Sequence, residues 1–127
     1  MKENKLTIQI SCPVSEVFEF TINPDNTPRW IDSIEKEWST DPLEIGTKYT
    51  NKNKEGVITE YIVSDLVLNK IFELKSDNFD YKVRYTYEAL GEDKTQLEYF
   101  EWVTMGDLNN PFKIEVLKKL KEIIENK

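Results

Sequence analysis

A chain of 127 residues, 39% hydrophobic and 32% charged, has the size and composition of one globular domain spanning 1–127. Its 17 basic and 24 acidic residues leave a formal charge of −7, which opposes phosphate backbones and anionic lipid surfaces. With no histidine and a single cysteine, Cys12, the chain has no histidine-based catalysis and no internal disulfide; any proton chemistry falls to carboxylates, tyrosines or lysines.

The opening Met1-Lys-Glu-Asn-Lys5 leads into an alternating strand, Lys5–Ser11, rather than an apolar signal segment, and no apolar run is long enough to cross a bilayer. The expected location is the cytoplasm, without stable membrane insertion. Pro13 opens a helix whose apolar face carries Val14, Val17, Phe18 and Ile22, and Asn23-Pro24 stops it. A second short helix is expected over Asn26–Ile31, with Trp30 and Ile31 pointing inward. From Ile34 the hydrophobic period becomes two. Strands are predicted at Ile34–Ser39, Thr47–Asn53, Val57–Val67, Lys70–Ser76, Asp80–Leu90 and Thr95–Met105. Their turns fall at Thr40-Asp41-Pro42, Lys54-Glu55-Gly56, Leu68-Asn69, Asp77-Asn78 and Gly91–Lys94. Gly106–Asn109 links to a final helix over Asn110–Lys127, with Asn110 as its cap and Pro111 in its first position. Phe112, Val116, Leu117, Leu120, Ile123 and Ile124 form its apolar face. Helices segregated to one side of an antiparallel sheet make the fold α+β.

The stretches Ile10–Phe20, Asn23–Trp30, Leu43–Tyr49 and Tyr61–Phe72 resemble the corresponding elements of the SRPBCC superfamily, the START-like and polyketide-cyclase-like proteins. The resemblance implies a helix-grip fold: a curved antiparallel sheet of about seven strands wrapped around a long C-terminal helix, with two short helices between strands 1 and 2. It also implies a cavity between sheet and terminal helix. The superfamily uses that cavity for lipid carriage, hormone reception, ring-closing chemistry or co-chaperone work, so the resemblance does not select an activity.

Glu101 is the position of most interest. If Leu97, Tyr99 and Val103 face the helix, alternation puts Glu101 on the same inward face. A buried carboxylate costs several kcal/mol unless paired or protonated, so it would be a ligand contact or a general acid/base. In the other register Phe100 and Trp102 face inward and Glu101 is solvated. Tyr61, Tyr81, Tyr85 and Tyr87 would line the inner face with phenols, suiting a semi-polar aromatic or sterol-like guest. The candidate ligand contacts are Tyr61, Tyr85, Tyr87, Tyr99, Glu101, Phe112 and Val116. Trp30 and Trp38 are expected in the core, Arg29 at the surface, Arg84 outward and solvated, and Cys12 as a packing residue. No metal or cofactor is expected.

Three functions remain open. The first is binding of a small apolar or amphipathic molecule by a monomer or weak homodimer. The second is a cyclase, dehydratase or isomerase using a carboxylate and tyrosines. The third is a protein-interaction module presenting Phe100 and Trp102.

Overall fold

The computed structural model describes residues 2–40, 42–77, 80–108 and 110–126. The predicted turn and linker positions Asp41, Asn78 and Asn109 lie outside the described residues. Seven strands, β1 (Lys2–Ile10), β2 (Ile34–Ser39), β3 (Lys48–Asn53), β4 (Ile58–Val67), β5 (Ile71–Ser76), β6 (Lys82–Gly91) and β7 (Lys94–Val103), form one antiparallel sheet in the order β1-β7-β6-β5-β4-β3-β2. Between β1 and β2 stand α1 (Val14–Ile22) and the four-residue α2 (Thr27–Trp30), joined by a 3-10 turn at Pro24–Asn26. The last helix, α3 (Ile114–Glu125), follows β7. No helix among the described residues is long and apolar enough to cross a membrane.

The first strand pairs with the last, with Asn4 opposite Glu101 and Leu6 opposite Tyr99. Alternation along β6 and β7 sends Val83, Tyr85, Tyr87, Leu97, Tyr99, Glu101 and Val103 into the interior. The helices cover that face. Val17, Phe18, Phe20 and Thr21 of α1 are buried, as are Leu117, Leu120 and Ile124 of α3. The far end of α3 is tied to the end of β1. Lys121 donates to the Gln9 carbonyl at 2.9 Å, Glu125 accepts from the Ser11 N–H at 2.7 Å, and the Cys12 thiol lies 3.7 Å from the Ile124 carbonyl.

Four expectations are corrected. The final helix begins at Ile114 instead of Pro111 and spans 12 residues, about 18 Å. Asn110 does not cap it: its φ of 54° lies in the left-handed region that asparagine tolerates, turning the chain before Pro111. Phe112 is therefore on an extended lead-in, where its backbone is claimed by other partners. Trp38 is 41% exposed, with the Lys36 ammonium 5.6 Å from its ring centroid. A bulge between Ile34 and Lys36 is responsible. One extra residue reverses the alternation, so Trp38 turns out and Glu37 turns in. Arg84 does point outward, but it pairs with Glu73 at 2.6 Å and Asp65 at 3.5 Å instead of standing in water.

Phe100 and Trp102 also face outward, stacked with centroids 4.8 Å apart. The ammonium groups of Lys5 and Lys82 lie 5.4 and 5.8 Å from their respective centroids, and both rings are half-buried. The apolar patch needed for an interaction module is thus sheathed by lysine side chains.

Candidate ligand-binding site

The interior of the curled sheet is built from rings. Tyr49, Phe72, Tyr85, Tyr99 and Phe112 form a continuous chain of contacts with centroids 4.6–5.8 Å apart, two of them edge-to-face and one tilted, ending in a parallel stack of Tyr99 on Phe112. Trp30 meets Tyr85 and Phe112 edge-on at 6.3 and 6.2 Å. These rings occupy most of the space the fold provides, yet they leave a cavity of about 200 Å³. Its apolar wall comes from Trp30, Ile31, Phe72, Leu74, Val83, Tyr85, Tyr99 and Phe112, and its polar end from Thr27, Glu37, Asn51 and Tyr61. The roof is α2 with the Phe112 lead-in. No residue of α3 lines it, which corrects the expected position between the sheet and the terminal helix.

The size decides the class of guest. Ligand pockets for drug-sized molecules measure roughly 300–1,000 Å³, whereas about 150 Å³ of apolar cavity admits benzene. The cavity fits one ring with a small substituent and is too small for a sterol or a long acyl chain.

Glu37 is the chemically distinctive group at its polar end. The Thr27 hydroxyl donates to its Oε1 at 2.6 Å, and the Asn51 amide bonds to it as well. Burial pushes its pKa up to about 7, against the lowering effect of these two bonds. Asn51 also bonds to Tyr61, whose hydroxyl is held by burial at about 12. Asn51 faces Glu37 directly across the β2–β3 ladder, which fixes the pair. Trp30 adds a second feature: its Nε1 is the buried side-chain polar atom that has no hydrogen-bond partner among the described residues. A guest carrying an acceptor within reach would satisfy it.

Glu101 does face inward, at 2% exposure, but outside this cavity. It lines the adjoining, more open cleft of about 520 Å³, whose wall shares Tyr61, Tyr81 and Phe112 with the cavity. Its Oε2 accepts from the Asn4 amide and from the Phe112 backbone N–H, both at 2.8 Å, and its Oε1 accepts from the Tyr81 hydroxyl at 2.6 Å. Asn4 donates in addition to the Phe112 carbonyl at 2.8 Å. Three of the roughly four acceptor positions of the carboxylate are therefore filled. Glu101 works as a clasp, joining β1, β7 and Tyr81, just ahead of β6, to the segment that leads into α3.

The other candidate contacts divide cleanly. Tyr61, Tyr85, Tyr99 and Phe112 line the cavity. Tyr87 does not: it packs edge-on against Phe18 at 5.0 Å, and its hydroxyl lies 2.6 Å from that of Thr21. Thr21 gives its own proton to the carbonyls of Val17 or Phe18, so Tyr87 is the donor. Val116 lies in a shallow groove on the outer side of Trp30 and Phe112. Tyr87→Phe is expected to cost about 1 kcal/mol in urea unfolding while leaving binding of ring-sized probes unchanged. Arg29 is a surface contact, 5.2 Å from the Phe20 centroid and 3.1 Å from Asn26 Oδ1. Glu37 was missed from the sequence, and only recognition of the bulge before it could have pointed to it.

No protein-family model and no curated protein matches the chain. Solved structures do. XoxI of Bacillus cereus is 14% identical, with a TM-score of 0.78, the match covering 99% of this chain and 97% of that one. The Aha1 dimer of Colwellia psychrerythraea is 14% identical, with a TM-score of 0.77 and coverage of 99% and 98%. A polyketide-cyclase-like protein of Corynebacterium glutamicum is 24% identical, with a TM-score of 0.60, over 80% of this chain and 65% of that one. The fold is the helix-grip. The terminal helix of this chain spans 12 residues, and the Phe112 lead-in, not that helix, roofs the cavity.

Proposed function

We propose that the chain binds one small, largely apolar molecule of about single-ring size in the cavity behind Phe112. The observation that carries this reading is an aromatic space of about 200 Å³ ending in a buried carboxyl and amide. Burying a ring's area of about 150–200 Å² at ~25 cal/mol per Å² contributes roughly 4–5 kcal/mol, which corresponds to a Kd of about a millimolar to a few hundred micromolar before polar contacts add to it. Glu37, Asn51 and Tyr61 would orient the guest's polar group. The fold's likeness to a polyketide-cyclase-like protein supports the reading without identifying the molecule.

Titration with p-cresol, followed by amide NMR, is expected to move signals of the cavity wall at millimolar ligand. Val83→Phe, which places a second ring in the same space, is expected to abolish that response while changing stability by less than about 2 kcal/mol, since the ring enters a void. No response from the wild type would refute binding.

A second reading is proton transfer on such a guest, as in an isomerase or dehydratase. It is favoured by a carboxyl whose pKa of about 7 suits a general acid/base at neutral pH, and the group concerned is Glu37 rather than Glu101. Turnover that Glu37→Gln eliminates and Glu101→Gln retains would establish it.

A further inference from the structure

Resting on the binding reading above, we infer that the cavity selects organic cations: an ammonium group carried on a single ring or an equally compact apolar body. Among the described residues that line it none is basic, and Glu37 brings the sole carboxyl group. The donors to that carboxyl, Thr27 and Asn51, are both neutral. An ionised carboxylate placed among rings without a cation is costly, and a guest ammonium supplies the missing partner.

The charged groups on neighbouring strands do not fill that role. Lys36 lies over the outward ring of Trp38, and Lys52 pairs with Glu35 at 3.5 Å on the opposite side of the sheet. On α2, Arg29 rests on Phe20. The titratable residues that line the cavity from β3, β4 and β6 are Tyr49, Tyr61 and Tyr85, all of which burial keeps protonated. Each of the three feels the negative charge of Glu37, and Tyr61 and Tyr85 also feel that of Glu101.

Aromatic walls add to this preference. Ring faces attract a cation, most strongly where water is excluded, and Trp30 and the tyrosines surround the space. A carboxylate-bearing guest would meet two like charges in low-dielectric surroundings. The overall charge of −7 favours the approach of cations in the same sense.

The test compares benzylamine, benzyl alcohol and benzoate by calorimetry or NMR titration at neutral pH, on the wild type and on Glu37→Gln. We expect benzylamine to bind at least about tenfold more tightly than benzyl alcohol, a difference of about 1.4 kcal/mol, and benzoate not to bind. Glu37→Gln should remove the advantage of benzylamine over benzyl alcohol. Equal affinity for amine and alcohol in the wild type overturns the cation preference but preserves the binding reading, and this comparison stands even if the variant does not fold. A preference for benzylamine that survives in a folded Glu37→Gln protein also overturns it. Failure of all three probes sinks both.

Discussion

Glu101→Ala is expected to destabilise the protein by about 3–5 kcal/mol, the cost of leaving buried donors without their charged acceptor. For a chain of this length that is a fall in Tm of roughly 10–20 °C. Asn4 keeps one bond, to the Phe112 carbonyl, and Tyr81 keeps a weaker contact to Tyr99 at 3.3 Å, but the Phe112 N–H loses the acceptor that holds it. Because Phe112 stacks on Tyr99 and roofs the cavity, the loss should reach the ligand site as well as the fold. Glu101→Gln has a milder outcome. Its carbonyl oxygen can serve Asn4 and Phe112 while its amide donates to a reoriented Tyr81 hydroxyl, for a cost of about 1–2 kcal/mol. Urea unfolding of the two variants beside the wild type checks the order. Equal, negligible losses would mean that the clasp does not hold the lead-in.

The second large effect is a dependence of stability on pH carried by Glu37. Its carboxyl is raised from an ordinary 4.5 to about 7 in the folded protein. In the unfolded chain it ionises first, so between those values the folded state holds the extra proton and stability declines as pH rises. Below about pH 4.5 the group is protonated in both states and costs nothing; above about pH 7 the full cost is present, about 3 kcal/mol from the difference of the two values. Asp32, Asp80 and Glu125 have lowered pKa values through hydrogen bonds to Lys119, to Thr104 and to Lys121 respectively. They contribute with the opposite sign, and their stability is lost as pH falls. The difference between wild type and Glu37→Gln isolates the Glu37 contribution. Between about pH 5 and pH 8 the wild type is expected to lose up to about 3 kcal/mol relative to the variant. Parallel pH profiles would show that the carboxyl titrates normally.

Much of the fold was legible because local chemistry and tertiary structure agree. The alternation of Tyr81, Val83, Tyr85 and Tyr87, the turn at Gly91–Lys94 and the helix opened after Pro13 all sit within a few residues of their predicted places. What was not legible depends on residues distant in sequence or on a single inserted residue. Asn4 lies 97 positions from Glu101, so the bond between them has no local signature. Asn110-Pro111 has the chemistry of a helix start, but Glu101 and Asn4 take the backbone groups of Phe112 and hold it outside the helix. The bulge after Ile34 exchanged the faces of Glu37 and Trp38, hiding the cavity's carboxyl and misplacing a tryptophan. The size of the void was beyond sequence reasoning altogether, because it is the small remainder after eight rings have packed.

Binding requires that the space behind Phe112 be open to a guest. A crystal structure of the protein grown with p-cresol tests this. Density is expected for one ring bounded by Trp30, Tyr85, Tyr99 and Phe112, with its hydroxyl toward Glu37 and Asn51. Rings closed upon one another at that position, with no ligand density, would contradict it.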